Sequence, residues 1–121
     1  MNTILLDIAM KIAIAIRYSP NCKALGITVD NAPLLSPDGT YKISVYWNPS
    51  MVIGKDETDM QCKTTLKLDY NDADGFKVDF HNKPITEGKM PTHDNMNVTI
   101  LKYLADVMNP ILVRANEKHN A

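Results

Sequence analysis

Two alternating runs, KTTLKLDY at 63–70 and GFKVDFHN at 75–82, flank the loop NDADG and constrain the fold more than any other stretch. Folding 64–70 back on 76–82 sets Tyr70 opposite Phe76, Leu68 opposite Val78 and Leu66 opposite Phe80, all on one face. On the other face Asp69 opposes Lys77 and Lys67 opposes Asp79. Opposite-charge cross-strand pairs contribute roughly 0.2–1 kcal/mol each. A slip of one residue would turn lysines toward the core, so the register is strongly specified. Asn and Asp in the loop favour local backbone bonds, and Gly75 is expected at positive φ, where a Gly75→Val change would destabilise the fold.

The same loop invites a calcium reading. An EF-hand loop needs D-x-[DN]-x-[DN]-G and an acid at the twelfth position. With Gly75 sixth, Asp72 and Asp74 fall third and fifth, but the first position is Tyr70 and the twelfth His81. Neither supplies a carboxylate, and strands rather than helices flank the loop. The stretch reads as a hairpin tip, with no calcium site.

Helical spacing of Ile4, Leu5, Ile8, Ile12 and Ile16 predicts a helix over 3–17, supported by Asp7 and Lys11 as an i,i+4 pair. The competing reading is a strand, because KIAIAI also alternates. As a helix the segment is apolar around most of its circumference, with Leu6, Met10 and Ile14 outside the main stripe. A helix resting on its own sheet needs only one apolar stripe, so this one calls for a second cover, and a homodimer is expected.

Ser19, Pro20 and Gly26 break the helix. ITVD at 27–30 reads as a short strand and SPDG at 36–39 as a turn. TYKISVYW at 40–47 alternates, with Tyr41, Ile43, Val45 and Trp47 on one face. Residues 48–61 read as an irregular acidic loop, and Pro84, Gly88 and Pro91 keep 83–92 irregular. Thr92 or Asp94 can cap a second helix whose stripe is Ile100, Leu101, Leu104, Val107 and Met108. Pro110 implies a kink or a restart, and ANEKHNA a frayed end. The expected fold is α+β in one domain over 1–121: an N-terminal helix, a mostly antiparallel sheet of about four strands, and a C-terminal helix packed on the sheet. In element order this is similar to type III secretion chaperones, which are typically more acidic; that likeness implies apolar grooves for a partner segment.

Candidate chemistry is thin. The net charge is −1 and no Lys/Arg run occurs, so the phosphate-neutralising footprint of a nucleic-acid binder is missing. His81, His93 and His119 show no established metal spacing. No G-x-S-x-G elbow and no Gly-rich phosphate loop appears. Cys22 and Cys62 read as buried thiols of a reducing compartment. The N-terminus lacks the basic region of a signal peptide, and the run Ile12–Ile16 is too short to span a bilayer. The expectation is therefore a small, non-enzymatic, cytoplasmic protein-binding protein without cofactor, metal, membrane or nucleic-acid partner: an inhibitor, an immunity-type factor or a phage or mobile-element accessory. The alternatives are a secretion or assembly chaperone, and a small ligand-binding domain or enzyme with a sheet–helix pocket. Tyr46, Trp47, Met51, Asp56, Glu57 and Asp59 are the expected partner-binding residues: an aromatic pair beside flexible Met and three carboxylates.

Overall fold

The computed structural model describes residues 2–47, 62–84 and 94–120. The chain forms α1 (Asn2–Tyr18), α2 (Pro20–Ala24), β1 (Thr28–Val29), β2 (Leu34–Leu35), β3 (Tyr41–Trp47), β4 (Cys62–Asn71), β5 (Gly75–Pro84) and α3 (Asp94–Asn120). The strands make one antiparallel sheet in the order β1-β3-β4-β5, with β2 also on β3. The fold is α+β, as the sequence implies. The fifth strand is β2, two residues long and preceded by Pro33, which leaves no alternation to read.

The β4–β5 register is the one set by the alternating runs: Leu66 faces Phe80, Leu68 faces Val78, and Tyr70 faces Phe76. Pairing extends past the expected ends, from Cys62↔Pro84 to Asn71↔Gly75. Gly75 has φ +75°, a left-handed conformation open to glycine at little cost. Tyr70 and Phe76 bring their rings to 4.7 Å at a tilt of 48°. Charges on the outer face follow the expected register, but the Lys67 ammonium makes its salt bridge, at 2.8 Å, with Asp38 on the β2–β3 turn. That turn is the expected SPDG: Gly39 N–H donates to the Ser36 carbonyl at 3.0 Å, with Gly39 at φ +87°.

Tyr41, Ile43, Val45 and Trp47 on β3, with Cys62, Thr64, Leu66 and Leu68 on β4, are buried on one sheet face. α1 packs over β1, β3 and β4, and α3 against α1 and β5. The core side of α1 is Leu5, Ile8, Ala9, Ile12, Ala13 and Ile16. α3 contributes Ile100, Leu104 and Met108, one per turn, with Leu101 and Val107 half-buried. The Trp47 indole N–H donates to Thr64 Oγ1 at 2.7 Å, satisfying the two polar groups in the middle of this core.

Three local features depart from the sequence expectation. The break after α1 holds a short helix, α2, with Ser19 as N-cap and Pro20 in its first turn; the Ser19 hydroxyl accepts from Cys22 N–H at 3.4 Å. α3 continues through Pro110, exposed in its interior, so of the expected kink or restart the restart does not occur. The segment expected to fray is helical to Asn120, and Asn116 anchors it. Its side-chain Oδ1 accepts from Phe76 N–H at 2.8 Å, and its Nδ2 donates to the Phe76 carbonyl at 3.3 Å. The amide thus takes the place of a neighbouring strand at the start of β5.

Candidate binding face

The outward side of α1 is where the structure leaves chemistry unexplained by folding. Its buried positions span a little under half of the helical wheel; of the rest, Met10, Ala15 and Arg17 are half-buried and the others described are exposed. On the water side stand Ile4 at 51% exposure, Leu6 at 37% and Ile14 at 45%, with exposed Tyr18 at the helix end. Among them Lys11 Nζ meets Asp7 Oδ2 at 3.0 Å, the expected i,i+4 pair. Single exposed apolar residues are ordinary; Ile4 and Ile14 share one side of this helix with Tyr18, while Leu6 stands apart from them beyond half-buried Met10.

One side of this face opens into a groove between α1 and the second half of α3, with a volume of about 720 Å³. Ile8, Phe76, Ile111 and Ala115 form its apolar floor. Asp7, Lys11, Arg114 and Lys118 stand around it. Arg114 and Lys118 are one turn apart on α3, and Lys118 lies in its last turn, where a cation complements the helix dipole. Neither makes an ion pair among the described residues.

The sequence-derived contact residues are distributed differently. Trp47 is buried, the core member of the aromatic pair. Tyr46 is half-buried on the opposite, polar face of the sheet, paired in register with Thr28 and Lys63. Met51, Asp56, Glu57 and Asp59 lie outside the described residues. The α1 face was legible in the sequence as an excess of apolar positions. Periodicity picked the covered stripe at Leu5, Ile8, Ile12 and Ile16 and left Leu6 and Ile14 outside it; it misplaced Ile4, which is exposed.

Other candidate chemistry stays dispersed. Asp72 and Asp74 sit in the hairpin tip as turn residues: Asn71 Oδ1 accepts from Asp74 N–H at 2.6 Å, and Asp72 Oδ1 accepts from the Tyr70 hydroxyl at 3.3 Å. His81 is exposed on β5, and among the described residues no three His, Cys, Asp or Glu side chains gather as a metal site. Cys22 and Cys62 are free and buried, and burial pushes both thiols up, away from the reactive thiolate. Among the described residues no helix is long and apolar enough to cross a membrane. Compared with known protein families, curated proteins and solved structures, the chain matches none of them.

Proposed function

We propose that this is a small non-enzymatic binding protein that acts by covering the outward face of α1 with another protein. The observation that carries the reading is that face itself: Ile4, Leu6 and Ile14 exposed on a helix whose opposite side is fully committed to the core. Burying such a face is favourable by roughly 25 cal/mol for each Å² of apolar surface removed from water. An inhibitor, an immunity-type factor or a phage or mobile-element accessory protein needs no more than this. In this reading the protein works in the cytoplasm, where its two free thiols stay reduced.

The test is a double substitution, Ile4→Glu with Ile14→Glu. Both positions face water, so the variant should keep its circular dichroism spectrum and melting temperature within a few degrees. It should show neither the assembly expected of the wild-type protein in light scattering nor the partners that the wild type is expected to retain on an affinity column. A variant that assembles and captures partners like the wild type would place the contact surface elsewhere.

The groove supports a second reading, a small ligand-binding domain. Its volume falls in the range of ligand pockets, and its apolar floor under Arg114 and Lys118 suits an amphiphile with an anionic head. Native mass spectrometry of the purified protein separates the two: a co-purified small acid lost on Arg114→Glu favours the ligand site.

A further inference from the structure

The outward face of α1 has an order of its own. Ile4, Asp7, Lys11, Ile14 and Tyr18 recur at intervals of three and four residues, the spacing of a coiled-coil seam. All five are exposed, Asp7 and Lys11 with side chains 60% and 59% open to solvent. At 100° per residue the seam points roughly 145° around the helix from the middle of the buried stripe, which falls between Leu5 and Ile16. A helix laid along it would meet a side of α1 that the core does not use, with Ile4, Asp7 and Lys11 also bordering the groove beside α3.

The sequence of that seam is its own complement when reversed. Ile4 and Ile14 lie equally far from residue 9, and so do Asp7 and Lys11. Place a two-fold axis beside residue 9 and run a second α1 antiparallel to the first. Ile4 then meets Ile14 of the other copy, and Asp7 meets Lys11, each contact occurring twice as an isologous interface requires. Antiparallel seams pair the two kinds of heptad position with each other, which is the pairing obtained here. A parallel arrangement would instead set Asp7 on Asp7 and Lys11 on Lys11, a like-charge juxtaposition.

We propose that the protein is a homodimer held by antiparallel packing of α1 against α1 of a second copy, with Ile4–Ile14 layers at the ends and a four-charge Asp7–Lys11 network at the centre. This rests on the reading of α1 as a protein-contact face and names its occupant. The isoleucines supply the apolar burial. The charges cost stability when desolvated and in return fix direction and register, the best-attested use of polar groups in helical seams. The Asp7–Lys11 bridge within each helix, at 3.0 Å, already holds the side chains together at the place where the second pair would arrive.

The test is a charge swap read by light scattering and by mixing. Asp7→Lys leaves two lysines at the centre of the seam, and Lys11→Asp leaves two aspartates. Each variant alone should dimerise about a hundredfold more weakly than the wild type, from like-charge repulsion across the seam. Mixed in equal amounts they should recover the dimer as a heterodimer, since the two lysines of one chain then face the two aspartates of the other. Circular dichroism checks that each variant is folded, which exposed positions on α1 should allow. Wild-type protein that stays monomeric at high micromolar concentration overturns the proposal. So does a dimer unchanged by either substitution, or a failure of the mixture to recover dimer. The Ile4→Glu/Ile14→Glu capture experiment stands apart from these outcomes: if it still abolishes binding of another protein, the α1 face is a contact surface whose occupant is not a second copy.

Discussion

The contact between Asn116 and Gly75–Phe76 yields a quantitative prediction. Gly75 sits at φ +75°, and a Cβ built there would fall within contact distance of the Asn116 carboxamide oxygen, with the Asn116 Cγ at 3.0 Å. Gly75→Ala therefore incurs two penalties. The left-handed conformation costs a residue with a Cβ about 1–2 kcal/mol. Displacing Asn116 removes its two hydrogen bonds to Phe76, each worth about 0.5–1.5 kcal/mol net. The sum is about 2–5 kcal/mol, a large share of a typical domain stability of about 5–15 kcal/mol. Asn116→Ala alone loses the two bonds but regains about 0.5 kcal/mol of helix propensity, for a net cost of about 0.5–2.5 kcal/mol. In the double variant the clash has no partner, and only the backbone penalty is added. Urea unfolding of all four proteins should show a coupling of about 1–3 kcal/mol, with Gly75→Ala costing less in the Asn116→Ala background. Strictly additive costs would refute the argument that the hairpin tip and the end of α3 are locked through this amide.

Other consequences follow from single contacts. The hydrogen bond from Lys67 holds the Asp38 carboxyl well below the usual carboxylate range, with Thr40 adding two more. A depressed folded value means stability present above the ordinary Asp pKa of about 3.9 and lost as pH falls toward the folded value. Carbon-detected NMR titration should find Asp38 titrating low, and Lys67→Met should bring it back up; an unchanged value would show the bridge absent in solution. Thr64→Val leaves the buried Trp47 indole N–H without its 2.7 Å acceptor and should cost about 1–3 kcal/mol in urea unfolding. A cost below a few tenths would mean another acceptor replaces it. Calorimetry with millimolar calcium should show no saturable binding at Asp72 and Asp74; heat abolished by Asp72→Asn would reverse the hairpin-only reading.

How much of this fold could be read beforehand depended on how local its determinants were. The β4–β5 register was legible because apolar alternation and charge pairing, Asp69 with Lys77 and Lys67 with Asp79, agree on one alignment. β2 was not, because two residues after a proline carry no period. Ser19-Pro20 held the signature of α2, a capping hydroxyl followed by proline, but the helix is only five residues long. The Asn116–Phe76 lock joins residues 40 positions apart through one side-chain amide, and a pattern read along the chain contains no trace of it. For the candidate site, the sequence showed that α1 carries more apolar surface than one sheet face can cover. It already set Leu6 and Ile14 outside the main stripe; Ile4, counted with Ile8, Ile12 and Ile16 by its spacing, was separated from them only by burial. The pairing of Tyr46 with Trp47 divided as strand geometry requires, one residue to each face of the sheet.

Hydroxyl-radical footprinting of the intact protein at working concentration tests the central claim most directly, because the molecule contains its own controls. Leu34 at 64% exposure and Leu35 at 56% lie on β2, outside the proposed α1 seam, and should oxidise freely. Ile4 and Ile14 have comparable exposure in the single chain, so they should label nearly as fast if their face is open. The account predicts that both isoleucines are protected severalfold relative to the leucines, and that dilution or the Asp7→Lys change restores their labelling. Equal labelling of Ile4, Ile14, Leu34 and Leu35 at every concentration, unaltered by any added binding protein, would contradict the assignment of α1 as the contact face.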